Sequence, residues 1–103
     1  MTYTDRDGET HETPLALFLA HNFTHEKQMG GGCQALAFYA DDGTYWLVTD
    51  YDDPGHIPAK FSDRCSVGRY DNDQDHGEAT EEHEISVTEA LALIWYGDQS
   101  AAV

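Results

Sequence analysis

The hydrophobic and polar positions change period several times along this chain, and each change marks an element. Thr13-Pro14 opens the run PLALFLAHNF, in which Leu15, Leu17, Phe18 and Leu19 cover most of a short helix. Thr13 suits the cap and Pro14 the first helical position, where its fixed φ is already helical and its missing N–H costs nothing. The run MGGG at 29–32 then interrupts the pattern and supplies a flexible joint.

Two β-prone runs follow, CQALAFYA and TYWLVTD, separated by Asp41-Asp42-Gly43. A three-residue connection ending in glycine predicts a hairpin with that glycine left-handed. Alternation puts Leu36 with Phe38 on one face of their strand and Tyr45 with Leu47 on one face of theirs. YDDPGHIP reads as loop, because its prolines cannot donate to a ladder. A third strand is expected over Arg64–Tyr70, and HEIS as a short edge strand leading to the last helix. There Ser86 and Glu89 form an S-x-x-E capping box, with Ile85 and Ala90 at the staple positions. ALALIWY is the helix body, and Gly97 stands where a left-handed terminator belongs.

These elements predict the α+β class: a small antiparallel sheet, built from the hairpin plus a third and a fourth strand, with an N-terminal and a C-terminal helix packed on one face. Residues 1–12, polar and acidic, read as a flexible lead-in. Residues 13–98 form one domain with an acidic loop at 71–84, and 99–103 a tail.

Composition sharpens the functional question. With 40% hydrophobic and 12% aromatic residues, the chain has material for a core. Twenty Asp and Glu against five Lys and Arg leave a formal charge of −15. That field disfavours direct binding to nucleic acid and to anionic membrane, and favours cations and basic protein surfaces. No apolar run reaches spanning length, and MTYTDRDGETHE lacks the basic and apolar pattern of a secretory signal. The expected setting is cytoplasmic, with Cys33 and Cys65 reduced.

The stretch DNDQDHGEATEE at 71–82 invites a calcium reading. Asp71, Asp73, Asp75 and Glu82 fall at positions 1, 3, 5 and 12 of a calcium loop. However, His76 occupies the position that needs glycine, Gly77 comes one residue late, and Glu78 replaces an apolar residue. Calcium binding is therefore a secondary alternative. Zinc ligands ordinarily come in close pairs, whereas Cys33 and Cys65 are far apart and His25 falls beyond the helix that carries His21. No metal, cofactor or catalytic residue is assigned. A nucleophile–base arrangement around Cys65 has no local support, and GGG at 30–32 leads into a strand rather than a phosphate-holding helix. The expectation is a protein that is not an enzyme.

The charge is unevenly placed. Residues 1–40 hold five acids and two bases, a net −3; residues 41–103 hold fifteen and three, a net −12. After Arg69 no Lys or Arg occurs. One-signed surfaces of this kind compete for the cations that would otherwise neutralise phosphates. Alternate side chains of an extended segment stand about 6.6 Å apart, and two phosphate steps along one duplex strand span about 6.8 Å. In composition alone the chain resembles the acidic phage and plasmid inhibitors that mimic nucleic acid, among them anti-restriction and anti-CRISPR proteins. That resemblance implies a basic, nucleic-acid-binding partner and transfers no residue roles. The expected contact face is Asp71, Asp73, Asp75, Glu78, Glu81, Glu82 and Glu84, with Asp50, Asp52 and Asp53 as a second patch and Tyr51 or Tyr70 as anchors. The rival explanations are environmental, an acidic lysine-poor surface adapted to strong salt, or a plain acidic tether.

Overall fold

The computed structural model describes residues 2–27, 33–71 and 79–97. In chain order the elements are β1 (Tyr3–Thr4), β2 (Thr10–His11), α1 (Pro14–Ala20), β3 (Thr24–Glu26), β4 (Ala35–Tyr39), β5 (Thr44–Asp50), β6 (Arg64–Asp71), β7 (Glu81–Ser86) and α2 (Val87–Ile94). The class is α+β. β3 to β7 form one antiparallel sheet in sequence order, and β1 and β2 form a separate antiparallel pair.

Local chemistry sets the element ends where the sequence puts them. Thr13 caps α1, its hydroxyl accepting from the Ala16 amide at 3.1 Å. In α2 the Ser86 hydroxyl accepts from the Glu89 amide and the Glu89 carboxylate accepts from the Ser86 amide, so two otherwise orphaned donors are satisfied. The β4–β5 turn closes over Gly43, whose φ of 90° lies in the left-handed region.

Strand parity then divides the sheet into two faces. Leu36 pairs with Val48, Val48 with Val67, and Cys65 with Ile85, so these side chains share one face. They join Leu17 and Phe18 of α1 and Val87, Leu91 and Ile94 of α2 in a single buried cluster. The register places Ala37, Tyr39, Tyr45, Leu47, Thr49, Ser66, Gly68, Tyr70, Glu82 and Glu84 on the other face.

The structure departs from the sequence expectations in three places. Residues 3–11 are a folded hairpin, not a lead-in: Asp5 and His11 are buried, and Gly8 turns the chain with φ 87°. The physical reason is that Asp5 carries its own solvation, since Oδ1 accepts from the Asp7 and Glu9 amides and so replaces the water a buried carboxylate loses. Strand β3 was not anticipated; it is short, and it borders the sheet beside β4. Residues 81–84 belong to β7, paired with β6 from Arg69 back to Arg64, rather than to an acidic loop. The tail at 99–103 lies outside the described residues.

Candidate functional site

The face of the sheet opposite the buried cluster carries a line of tyrosines across three strands. Tyr39 of β4, Tyr45 of β5 and Tyr70 of β6 are cross-strand neighbours. Their ring centroids stand 5.8 and 5.3 Å apart, with Tyr45 and Tyr70 nearly parallel at 17°. Aromatic pairs at these spacings add rigidity and apolar area. Tyr39 remains largely exposed and donates its hydroxyl to Glu26 of β3 at 3.2 Å. Partial burial, reinforced by nearby Glu26, raises the Tyr39 phenol above its ordinary range. Burial followed by Glu82 does the same for Tyr70. Both hydroxyls therefore stay protonated at neutral pH, that of Tyr39 already donating to Glu26.

Beside the tyrosines runs an open groove of about 330 Å³, lined among others by Leu47, Thr49, Tyr51, Tyr70, Glu82 and Glu84. Its floor is low because Gly68 of β6 has no side chain, and the Tyr70 ring leans back over it. Glu82 and Glu84 are exposed along β7 and point to this same face. Glu84 holds Arg64, whose Nε donates to Glu84 Oε2 at 3.0 Å and whose terminal nitrogen donates to the Glu84 carbonyl at 2.8 Å. Chemically, the groove offers aromatic faces, apolar floor and carboxylate oxygens close together. That set suits the guanidinium or ammonium groups of a protein.

The sequence-predicted contact residues separate into groups. Glu82 and Glu84 lie on the groove. Tyr51 reaches it from the loop after β5, the loop that also holds exposed Asp52 and Asp53. Asp53 is occupied internally, its carboxylate 3.0 Å from His56 Nδ1. Asp50, Asp71 and Glu81 fall by parity on the helix-side face. Glu81 there sits 2.8 Å from His83 Nε2 and 3.7 Å from Arg69 Nη1, and Asp50 accepts from the Asp53 amide. Asp73, Asp75 and Glu78 lie outside the described residues. The calcium pattern is divided in the same way: Asp71 and Glu82, its first and last positions, project from opposite faces of the sheet.

Sequence reasoning missed Tyr39, Tyr45 and Leu47 as surface components. The shared face of Tyr45 and Leu47 is legible in the alternation, but not which side of the sheet the helices cover. It also missed a second polar assembly, beside Trp95 and Tyr96 at the end of α2. Asp5, His11 and His21 are all buried there, and Asp5 Oδ2 is 2.8 Å from His11 Nε2 and 3.7 Å from His21 Nε2. The His11 hydrogen bond, then the Glu9 and Asp7 amides, outweigh burial and hold the Asp5 carboxyl below its ordinary range.

No family model, curated protein or solved structure matches this chain. No helix among the described residues is long and apolar enough to cross a membrane.

Proposed function

We propose that this protein is a non-enzymatic acidic binding protein that occupies a basic, nucleic-acid-binding surface of a partner protein. The observation that carries the reading is the groove, where Tyr51, Tyr70 and Leu47 meet the carboxylates of Glu82 and Glu84 on the sheet face opposite the two described helices. A chain of formal charge −15 draws a basic partner from a distance, and the tyrosines offer the aromatic surface that charge alone does not provide. Glu82 and Glu84 are alternate residues of one strand, about 6.6 Å apart, so the phosphate-like row is built on β7. Asp52 and Asp53 stand on the loop that brings Tyr51 to the groove, Asp50, Asp71 and Glu81 contribute charge from the far side, and Asp73, Asp75 and Glu78 add to the formal charge that draws the partner. The Arg64–Glu84 pair is half exposed at both ends and contributes at most about 1 kcal/mol. An incoming arginine of the partner can replace it. Free Cys33 and Cys65 are compatible with the cytoplasmic setting that this reading takes.

The test is competition. Wild-type protein, immobilised, is expected to retain basic nucleic-acid-binding proteins from host lysate and to release them to added duplex DNA or RNA. The pair Glu82→Lys and Glu84→Lys, both at exposed positions, is expected to abolish retention with the fold unchanged by circular dichroism. Retention that nucleic acid does not compete, or that the double reversal leaves intact, rejects the reading.

A further inference from the structure

We propose that Asp5, Asp7 and His21 form a binding site for a borderline divalent transition-metal ion, with Zn2+ as the reference case. The argument starts from His21, which caps the end of α1 and is 3% exposed. Asn22, the next residue, adopts φ 69° and turns the chain so that the Phe23 amide returns to the Phe18 carbonyl. The His21 ring is thereby held beneath the β1–β2 hairpin. Its Nδ1 lies 2.8 Å from the Leu17 carbonyl oxygen. A carbonyl only accepts, so Nδ1 carries the proton, and in the neutral ring Nε2 carries a lone pair.

That lone pair faces two carboxylate oxygens, Asp5 Oδ2 at 3.7 Å and Asp7 Oδ2 at 3.8 Å. Both separations exceed hydrogen-bond length, and the three possible donor atoms all lie within 4.8 Å of one another. This is the spacing of ligands rather than of partners. Donor atoms about 2.1 Å from one ion and at tetrahedral angles stand about 3.4 Å from each other. The two His21–carboxylate separations are within a few tenths of an ångström of that spacing, and the carboxylate of exposed Asp7 has room to turn toward a common ion.

The surrounding bonds orient each donor as a ligand needs. His21 gives its other N–H to a backbone carbonyl, the usual way a metal-bound imidazole is fixed. Asp5 Oδ1 is held by the Asp7 and Glu9 amides, and Oδ2 receives a hydrogen bond at 2.8 Å from His11, which acts as a positioning residue. Asp7 has an exposed side chain, so the site opens to solvent on one side and leaves room for water as a further ligand. Trp95 and Tyr96 wall His21 on the other, with ring centroids 5.5 and 6.1 Å away. One imidazole and two carboxylates select Zn2+, Mn2+, Co2+ or Fe2+ over Ca2+ and over soft ions. An alternative trio of Asp5, Glu9 and His11 shares Asp5, but there Asp5 Oδ2 and His11 Nε2 already satisfy each other.

The test uses the full chain, stripped with chelator and titrated with ZnCl2 by calorimetry and with CoCl2 by visible absorption. Saturable uptake of one ion per chain is expected, with a Co2+ spectrum of nitrogen and oxygen ligation and a melting temperature that rises with Zn2+. Asp7→Asn, at an exposed position that the fold tolerates, should weaken binding at least tenfold. Asp41→Asn, in the remote β4–β5 turn, should not. His11→Gln should weaken it about 10- to 100-fold through the lost orientation of Asp5. Absence of saturable uptake overturns the proposal. So does binding that Asp7→Asn leaves unchanged while Glu9→Gln abolishes it, which moves the ion to the alternative trio.

Discussion

Tyr70 lies across Gly68, two residues before it on the same strand and the same face. A Cβ at position 68 would stand 3.0 Å from both Cε1 and the hydroxyl oxygen of Tyr70. The glycine thus sets the tilt of the ring that walls the groove. Gly68→Val should lift Tyr70 and break its stacking on Tyr45, changing the near-ultraviolet dichroism of the tyrosines and weakening partner retention. Stability should move by no more than about 1 kcal/mol, because valine is also the better strand residue. An unchanged tyrosine signal with full retention would remove Tyr70 from the binding face.

The two cysteines should differ sharply. Cys65 is fully buried, and burial, aided by Asp50 and Asp63, pushes its thiol up to about 12. Cys33 is exposed. At pH 8 a chromogenic disulfide reagent should find one fast thiol in the native protein and both only in denaturant. Cys33→Ser should eliminate the fast phase.

The capping box of α2 gives a pH-dependent test in which the global charge cancels. Hydrogen bonds from Ser86 hold the Glu89 carboxyl below its ordinary range. A depressed carboxyl stabilises the fold above its unfolded-state pKa, about 4.3 for Glu, and that contribution is lost as pH falls through the lower folded value. The stability gap between wild type and Glu89→Gln should therefore be constant near neutrality and shrink below about pH 4.3. Ser86→Ala should cost about 1 kcal/mol at neutral pH. Denaturant melts of the variants across pH measure both.

Core and surface leucines should separate cleanly. Leu91 of α2 is 1% exposed within the main cluster, and Leu91→Ala should cost about 2–5 kcal/mol. Leu19 of α1 is 47% exposed, and Leu19→Ala should change stability by no more than about 0.5 kcal/mol. Chemical denaturation of the pair tests whether α1 presents one face to the core.

Elements governed by local rules were legible in the sequence. Thr13-Pro14, the Asp41–Gly43 turn and the Ser86–Glu89 box all encode their own geometry within a few residues. What was not legible depends on distance along the chain. Asp5, His11 and His21 read as solvated polar residues one by one, because their burial is a property of the hairpin meeting the end of α1. Three-residue β3 was hidden for a related reason: THE has no apolar alternation, and its pairing with Ala35–Ala37 supplies the stability that its composition lacks. The acidic residues were overgrouped. Charge density along the sequence treats Glu81 and Glu82 alike, whereas strand parity sends one to Arg69 and His83 and the other to the groove.

The position of β7 at the margin of the sheet among the described residues has a consequence apart from any partner. An open strand edge is a template for adding another strand, and identical chains at high concentration are the readiest source. Here Glu81, Glu82 and Glu84 fall within six residues of that edge. A second molecule approaching along it would set its own glutamates against these. The carboxylates thus act as a guard against self-assembly, and screening them with salt or neutralising them with acid is the condition under which this sheet would begin to grow.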